Sequence, residues 1–285
     1  MSKGLVIEGG GMRGIFAAGV LDCFLDAGIR FDNVIGVSAG ACHGCSYVAG
    51  QRDRALAVNL NYLDRKEYCS LHSLRTTGDL FGAEFIYHTI PEQLYPIDND
   101  AFTASGIKFQ PVVTNCVTGE AEYPVVGDMF RDVEWVRASA SLPFLANMVE
   151  IGGGLYMDGG ISDSIPLAQS IRQGNEKNIV ILTRPRDYRK KRTNGMLLKV
   201  MKRKYRDYPN MVASYEKRAQ TYNQSLELVA AEEETGRAFV IAPMGDLDIG
   251  RTERNPEKMK KAYREGYYVT EGLLEKLQKY LQESV

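Results

Sequence analysis

The sequence predicts an α/β fold, a mostly parallel sheet flanked by helices, with a helical elaboration at the C-terminal end. Three observations predict it. Short apolar runs alternate with helix-period stretches along the first half, the turns between them are short, and a buried strand, Asn178 to Thr183, returns well after the midpoint. Strands separated by helices and short turns pair in parallel, because the crossover helix carries the chain back before the next strand starts. With 285 residues, 44% of them hydrophobic, the chain has the apolar surface to cover a sheet on both faces.

Leu5-Val6-Ile7 is the first strand, ending in glycines. Ile15 to Ala27 follows as a helix with an apolar stripe at Ile15, Ala18, Leu21, Phe24 and Leu25, closed by Gly28. Phe31 to Val37 is the second strand, and Ala39 to Gly50, small and free of proline, the second buried helix. Phe109 to Val117 is a β-branched strand, with Glu120 to Val126 returning beside it across Thr118-Gly119. Asp128 is placed to cap a helix ending at Ser139, with Trp135 on its apolar side. Asn147 to Asp158 is a hairpin turning at Gly152-Gly153-Gly154, which delivers Asp158 to its far end. Ile165 to Arg172 is a helix and Asn178 to Thr183 the clearest buried strand. Leu197 to Arg206, Pro209 to Glu234 and Pro256 to Gln282 have helical periodicity, interrupted by the strand Ala238 to Ala242. No repeat or linker divides the chain, so residues 173–285 are expected to complete the same α/β unit as residues 5–172.

Charge and cysteine usage exclude several function classes. The 35 Lys and Arg against 36 Asp and Glu give a formal charge of −1, which excludes a wholly basic nucleic-acid coat and an acidic disordered tail. No apolar run approaches the ~20 residues of a membrane span, and the N-terminus reaches a strand without a signal-type apolar segment. Cys23, Cys42, Cys45, Cys69 and Cys116 are odd in number and scattered, as expected of reduced thiols in a cytoplasmic protein. Cys42-x-x-Cys45 has no second pair to complete a zinc site, so both are read as small buried helix residues.

Three motifs carry chemistry. Gly9-Gly10-Gly11-Met12-Arg13-Gly14 follows the first strand and opens a helix, the turn whose N–H groups point at an anion. Dinucleotide folds use the same turn, but they need an acidic residue at the end of the second strand, where Gly36-Val37-Ser38 stands instead. Gly36-Val37-Ser38-Ala39-Gly40 is a G-x-S-x-G on a strand-to-helix turn, the nucleophile elbow that lifts a serine hydroxyl clear of the backbone. The usual histidine base would come late in the chain, yet the histidines are His43, His72 and His88. His43 is expected to project away from Ser38, and spacing leaves His72 and His88 open. The third motif, Asp158-Gly159-Gly160, presents a carboxylate between residues that do not crowd it.

This combination resembles the patatin-like phospholipases, and the bacterial members in particular. The likeness runs from Leu5 to about Pro166, through Ala138-Ser139-Ala140-Ser141-Leu142-Pro143 and Asp158 to Pro166, and more weakly through Asn178 to Pro185. Gly250 to Lys258 is similar to a C-terminal stretch of the bacterial subgroup. The resemblance implies a three-layer fold and a Ser–Asp dyad without histidine. Ser38 would be the nucleophile, Asp158 the base and the Gly9 to Gly14 turn the oxyanion hole, acting on a lipid or other ester without a cofactor. The N–H groups of Gly10 and Gly11, joined by that of Ala39, are the expected oxyanion donors. Arg13 is read as a brace for the turn in preference to a contact for an anionic head group. Because an ordinary aspartate, pKa ~3.9, is a weak base, apolar neighbours such as Leu142, Phe144 and Leu155 are expected to raise Asp158. A general carboxylesterase or acyltransferase shares every one of these residues, and a non-catalytic nucleotide-binding or regulatory protein is the alternative from another class.

Arg184 to Arg206 holds eleven Lys and Arg against one acid, Asp187. Leu197, Leu198, Met201 and Tyr205 share one helical face there, with Lys199, Lys202, Arg203 and Lys204 away from it. An interfacial helix on an anionic membrane and a solvated helix packed over the core both fit that pattern.

Overall fold

In the computed structural model, which describes residues 2–283, the first half is built of repeated strand–helix units. β1 (Lys3–Ile7) runs through a 3-10 turn at Gly11–Gly14 into α1 (Ile15–Asp26), and β2 (Asn33–Val37) runs directly into α2 (Ala39–Val48). α1 has no side-chain cap; everything from Ile15 to Phe24 is buried, so packing holds it. Short helical pieces follow: α3 (Arg54–Asn61), α4 (Leu71–Thr77), a π-helical segment at Phe85–Leu94 containing Pro91, and α5 (Asn99–Ala104). No helix or strand is expected from the sequence between Gly50 and Phe109. These pieces are too short to display a period, and local caps start two of them: Ser70 accepts the Ser73 N–H and Asp98 that of Ala101.

β3 (Lys108–Asn115), the two-residue β4 (Ala121–Glu122), α6 (Met129–Ser139), β5 (Val149–Ile151) and β6 (Gly154–Asp158) come next. Asp128 Oδ1 caps α6, accepting the Phe130 and Arg131 N–H groups at 2.9 Å. The chain then forms α7 (Leu167–Arg172), β7 (Lys177–Ile181), α8 (Gly195–Lys204), α9 (Pro209–Glu234), β8 (Ala238–Ile241), α10 (Pro256–Glu271) and α11 (Leu274–Gln282). The single helix expected over Pro256 to Gln282 is two: at Leu273 the N–H turns to the Thr270 carbonyl three residues back, and the tighter turn redirects the chain so that Leu277 and Leu281 are buried.

The eight strands form one mixed sheet in the order β5-β6-β3-β2-β1-β7-β8, with β4 also on β3. β3, β2, β1, β7 and β8 are parallel, while β4 and the β5–β6 hairpin run antiparallel. Alternate residues serve opposite faces. Leu5, Ile7, Ile179 and Ile181 pack under α1, α2 and α10, whereas Val6, Val180 and Val240 pack under α7 and α9 through Leu167, Tyr222 and Leu226. The result is three layers. β1 is the switch point: the chain leaves it to one side for β2 and returns on the other side as β7, which opens a crevice at the strands' C-terminal ends.

Register then sets the site. Val37 pairs with Val112, and the next residue along β3, Val113, pairs with Asp158. Ser38 and Asp158 therefore leave the sheet at neighbouring levels on either side of β3.

α10 is locked onto α1 by two glycines. A Cβ on Gly19 would collide with the Tyr263 carbonyl oxygen, and one on Gly266 with that of Phe16. Helix propensity alone favours alanine at both positions by about 1 kcal/mol, but the collision must separate the helices. Gly19→Ala or Gly266→Ala is expected to destabilise by ~1–3 kcal/mol, checked by urea denaturation; a stabilised variant would show that the two helices are not this close.

Candidate active site

Ser38 is the hinge between β2 and α2, with φ 54° and ψ −121°. A non-glycine residue at positive φ is strained by about 1–3 kcal/mol and needs surroundings that hold it there. They are present. A Cβ on Gly36 would stand 2.7 Å from the Ala41 nitrogen, and one on Gly40 2.5 Å from the Ile7 carbonyl oxygen, so α2 starts hard against the strand ends only because both are glycine. The Ser38 N–H donates to Ser139 Oγ at 3.0 Å. Val37 and Ala39 complete the turn beside it, and Ala39 lines the same cavity as Ser38.

Asp158 ends β6 and is 1% exposed. Its N–H donates to the Ser141 carbonyl at 2.9 Å and its own carbonyl accepts from Thr114 Oγ1 at 2.9 Å. Oδ1 accepts the Gly160 N–H at 2.7 Å, while Oδ2 is buried without a hydrogen-bond partner. The Ser38 hydroxyl is near enough to favour the carboxylate form, though the pair falls outside hydrogen-bond geometry. Burial pushes Asp158 above the ordinary carboxylate range, opposed by the charge of Arg218, by Ser38, by the Gly160 N–H and by Arg251. Gly159 lies against the Val112 carbonyl with no room for a Cβ. Of the apolar neighbours expected around Asp158, only Leu142 lines the cavities at Ser38. Phe144 and Leu155 pack with Met201 and Tyr205 beneath α8 instead.

The glycine turn faces both residues. The N–H groups of Gly10, Gly11 and Ala39 donate to no acceptor among the described residues, and Gly11 holds φ +58°. The Met12 N–H is different: it donates to the Arg251 carbonyl at 3.1 Å, which removes it from the set of free donors, and the Met12 side chain is buried. Arg13 donates through Nη1 to the Ile249 carbonyl at 3.3 Å, so it does brace the turn, against the 249–251 loop. Gly14 lies against Ala39, and Gly9 against the Val37 carbonyl and Ser38 Cβ.

No histidine takes the base position. His43 lines the same cavity as Ser38 but makes no hydrogen bond to it, and burial pushes it down to about 4. His72 is exposed on α4, and His88 lies between Glu92 and Glu134 at 3.2 Å from each. Cys45 is buried on α2 with its thiol on the Ala41 carbonyl.

Ser38 stands at the seam of two cavities. One, about 140 Å³, is apolar and is walled by α2 and the short helical pieces through residues such as Val58, Phe81, Ile90 and Val136. The other, about 60 Å³, is polar, with Asp158, Glu8, Thr183, Lys190, Arg218 and Arg251 among its lining. Glu8, deeply buried at the end of β1, accepts from the Thr183 N–H at 2.6 Å and the Tyr222 hydroxyl at 2.7 Å, and burial pushes its carboxyl up. Sequence reasoning missed Glu8, Ser139, Arg218 and Tyr222. The two on α9 are far from every motif, and only their place on the side facing β1 marks them.

α8 departs from the expected membrane face. Met201 and Tyr205 are buried and Leu198 half-buried, because Phe144, Met211 and Cys116 offer them an apolar bed. The apolar surface left outside is Met196, Val200 and Leu197, exposed by 76, 51 and 40%. Lys202 pairs with Glu216 at 3.1 Å and Lys204 lies over the Phe144 ring, while Lys199 and Arg203 are exposed with no carboxylate within 4 Å among the described residues. The basic strip is thus divided: Lys190 and Arg184 turn inward to the polar cavity, and Arg186 pairs with Glu233.

The chain is similar in sequence to known proteins. A family model described as patatin-like phospholipase matches residues 5–171, and one described as a domain of unknown function (DUF6363) matches 208–282. The uncharacterized protein YjjU of Escherichia coli K12 is 33% identical over 64% of this chain and 52% of its own length. The probable lipid hydrolase 463L of Invertebrate iridescent virus 6 is 24% identical over 62% of this chain and 66% of its own. Lysophospholipase nte1 of Emericella nidulans is 31% identical over 58% of this chain but only 11% of its own. The chain therefore spans about half to two thirds of the first two relatives and a small part of the third.

The Ser139 contact gives a prediction. Ser139→Ala leaves the buried Ser38 N–H unpaired, which is expected to destabilise by ~1–3 kcal/mol and to lower the rate at which Ser38 is labelled by a fluorophosphonate. Unchanged stability and labelling would show that the elbow does not need this bond.

Proposed function

The chain belongs to the patatin-like phospholipase family, and on that footing we propose that it is a serine lipid acyl hydrolase of the phospholipase A or lysophospholipase type. The observation that carries the reading is the buried, raised Asp158 carboxylate with a free oxygen beside a strained Ser38 hydroxyl that lines both cavities. Asp158 Oδ2 accepts the proton as Ser38 Oγ attacks the ester carbonyl. The free N–H groups of Gly10, Gly11 and Ala39 receive the charge that develops on the carbonyl oxygen. Each such donor is worth ~2.7–4 kcal/mol in the transition state. Collapse expels the alcohol, which takes the proton back from Asp158, and the acyl group stays on Ser38. Water then attacks the acyl-enzyme with Asp158 again as base, and Ser38 Oγ leaves the acyl carbon, taking that proton back from Asp158 as the acid is released. The apolar cavity suits the acyl chain, each buried methylene contributing ~0.8 kcal/mol.

No helix among the described residues is long and apolar enough to cross a membrane. Peripheral contact with anionic lipid belongs to the same reading. Met196, Leu197 and Val200 supply an exposed apolar strip, and Lys199 and Arg203 the adjacent charge. Replacing Met196 and Leu197 together by Asp is expected to weaken binding to phosphatidylglycerol vesicles about tenfold or more in a flotation assay; unaltered binding would remove α8 from the membrane.

The dyad is tested by rate and pH together. Ser38→Ala is expected to abolish hydrolysis of p-nitrophenyl esters and fluorophosphonate labelling. Because burial raises Asp158, its proton binds at higher pH than an ordinary aspartate's, so kcat/KM should fall as pH drops through a limb lying above ~3.9. In Asp158→Asn the residual rate should be small and that limb absent. A limb that survives the substitution would mean another group is the base.

A further inference from the structure

The apolar cavity at Ser38 has a polar far end. Ser38, Cys42, Cys45 and Ser46 all line it, and their spacing puts them on one face of α2. α2 therefore runs beside the cavity as a ruler: at a rise of ~1.5 Å per residue, Ser46 stands ~12 Å along the helix from Ser38. At that level the cavity meets Arg54, the first residue of α3 and only 7% exposed. Arg54 Nη1 donates to Ser46 Oγ at 3.2 Å, Nη2 to the Tyr95 carbonyl at 2.9 Å and Nε to the Pro96 carbonyl at 3.4 Å.

All three acceptors are neutral. Among the described residues Arg54 has no carboxylate within 4 Å, and no Asp or Glu lines the cavity. No carboxylate is among the groups that act on its charge, and burial pushes the guanidinium down from its ordinary range. Donors are also left over. Each Nη keeps a second N–H. The Ser46 hydroxyl, itself buried, accepts from Arg54 and has no acceptor for its own proton among the described residues. Asn59, on the same wall, gives one amide N–H to the Ala55 carbonyl and its oxygen to the Tyr68 hydroxyl, which leaves its other N–H. The spare groups at this end are thus all donors, gathered around a buried charge without a counter-ion. That is costly, and a carboxylate relieves it: two oxygens take the Nη N–H groups side by side while the Ser46 hydroxyl reaches one of them. The methyl end of a plain acyl chain would displace water from these donors and give nothing back.

Resting on the hydrolase reading above, we propose that the far end of the cavity is a carboxylate site and that the substrate is an ester of an ω-carboxy acid, a dicarboxylic acid esterified at one end, with its ester carbonyl at Ser38 and its free carboxylate on Arg54 and Ser46. The ruler gives the length. An extended chain of ~1.5 Å bonds advances ~1.25 Å per carbon, so about eight carbons and a hydrogen bond span the ~12 Å along α2. The demand falls on the acyl half of the ester and is independent of the alcohol.

The 4-nitrophenyl monoester of octanedioic acid and the same ester with its far carboxylate converted to a carboxamide differ only in the terminal group. We expect kcat/KM for the acid to exceed that for the amide at least tenfold, mainly through KM, and the preference to fall toward one for the six-carbon pair, whose carboxylate stops short of Arg54. In Arg54→Met the eight-carbon ratio should fall toward one and Arg54→Lys should restore part of it; taking the ratio cancels any change in the number of active molecules. Because Arg54 also holds the Tyr95 and Pro96 carbonyls, Ser46→Ala serves as a variant that leaves those bonds in place, and it should lower the ratio about threefold or more. Octanedioate should raise the melting temperature of Ser38→Ala protein more than octanediamide does, a readout that needs no turnover. Equal kcat/KM for the two eight-carbon esters, both dependent on Ser38, overturns the carboxylate site and leaves the hydrolase reading standing. A preference equally large for the six-carbon pair, or one unchanged in both Arg54→Met and Ser46→Ala, would put the carboxylate on the cations of the polar cavity and overturn the site as well. Hydrolysis that persists in Ser38→Ala overturns the hydrolase reading itself, and the melting comparison then decides the carboxylate site alone.

Discussion

Asp158 gives one carboxylate oxygen to the Gly160 N–H and keeps the other unpaired inside the protein, with no cation in salt-bridge contact. That arrangement sets what surrounds it. A direct ion pair would satisfy the oxygen but lower the carboxyl's pKa and weaken it as a base, whereas isolation without any nearby positive charge would protonate it. Arg218 and Arg251 act from a distance, opposing burial without quenching the group. The glycines after Asp158 follow from the same need, since Gly159 lies against the Val112 carbonyl and Gly160 between the carboxylate and Arg218.

Ser38 and Asp158 are held by one segment. Ser139 receives the Ser38 N–H and the Ser141 carbonyl receives that of Asp158, so a loop at the end of α6 fixes the spacing of residues that lie 120 positions apart in the chain. The C-terminal region is equally involved. β8 extends the sheet, α9 supplies Tyr222 and Arg218, and the loop at Ile249 to Arg251 ties down Met12 and Arg13 through two carbonyls. The Gly19 and Gly266 contacts carry that support back to α1. Loosening α10 on α1 would therefore be felt at the glycine turn, because α1 begins where that turn ends.

Much of this was legible in the sequence because it depends on local rules. The strands β1, β2, β3 and β7 are runs of buried β-branched residues, and their placement next to Gly9 to Gly14 and Gly36 to Gly40 identifies strand-to-helix turns before any coordinates. The Gly152 to Gly154 hairpin likewise locates Asp158 at a strand end. What was not legible is non-local. Periodicity on α8 groups Leu197 with Leu198, Met201 and Tyr205, but only the position of Phe144 and Met211 decides that the last three face inward. Counting Lys190 with a surface strip was reasonable by composition, yet Asn223, 33 residues on, turns it to the site. Of the short pieces between Gly50 and Phe109, α3 and the π-helical segment wall the apolar cavity, a role that no window of that segment expresses.

The division at Ser38 between an apolar and a cationic cavity bears on how an ester is oriented. An acyl chain buried in a smooth apolar cavity gains free energy in proportion to area, with little preference for where along its length the carbonyl stops. Fixed polar groups on the alcohol side would supply the missing register, since charge-assisted hydrogen bonds locate a group by direction as well as distance. An ester carbonyl at the seam would lie between the Ser38 hydroxyl and the free N–H groups of the glycine turn. The strain at Ser38 is useful in that setting: the hydroxyl is presented at the seam by the backbone itself, so binding has to align the substrate alone.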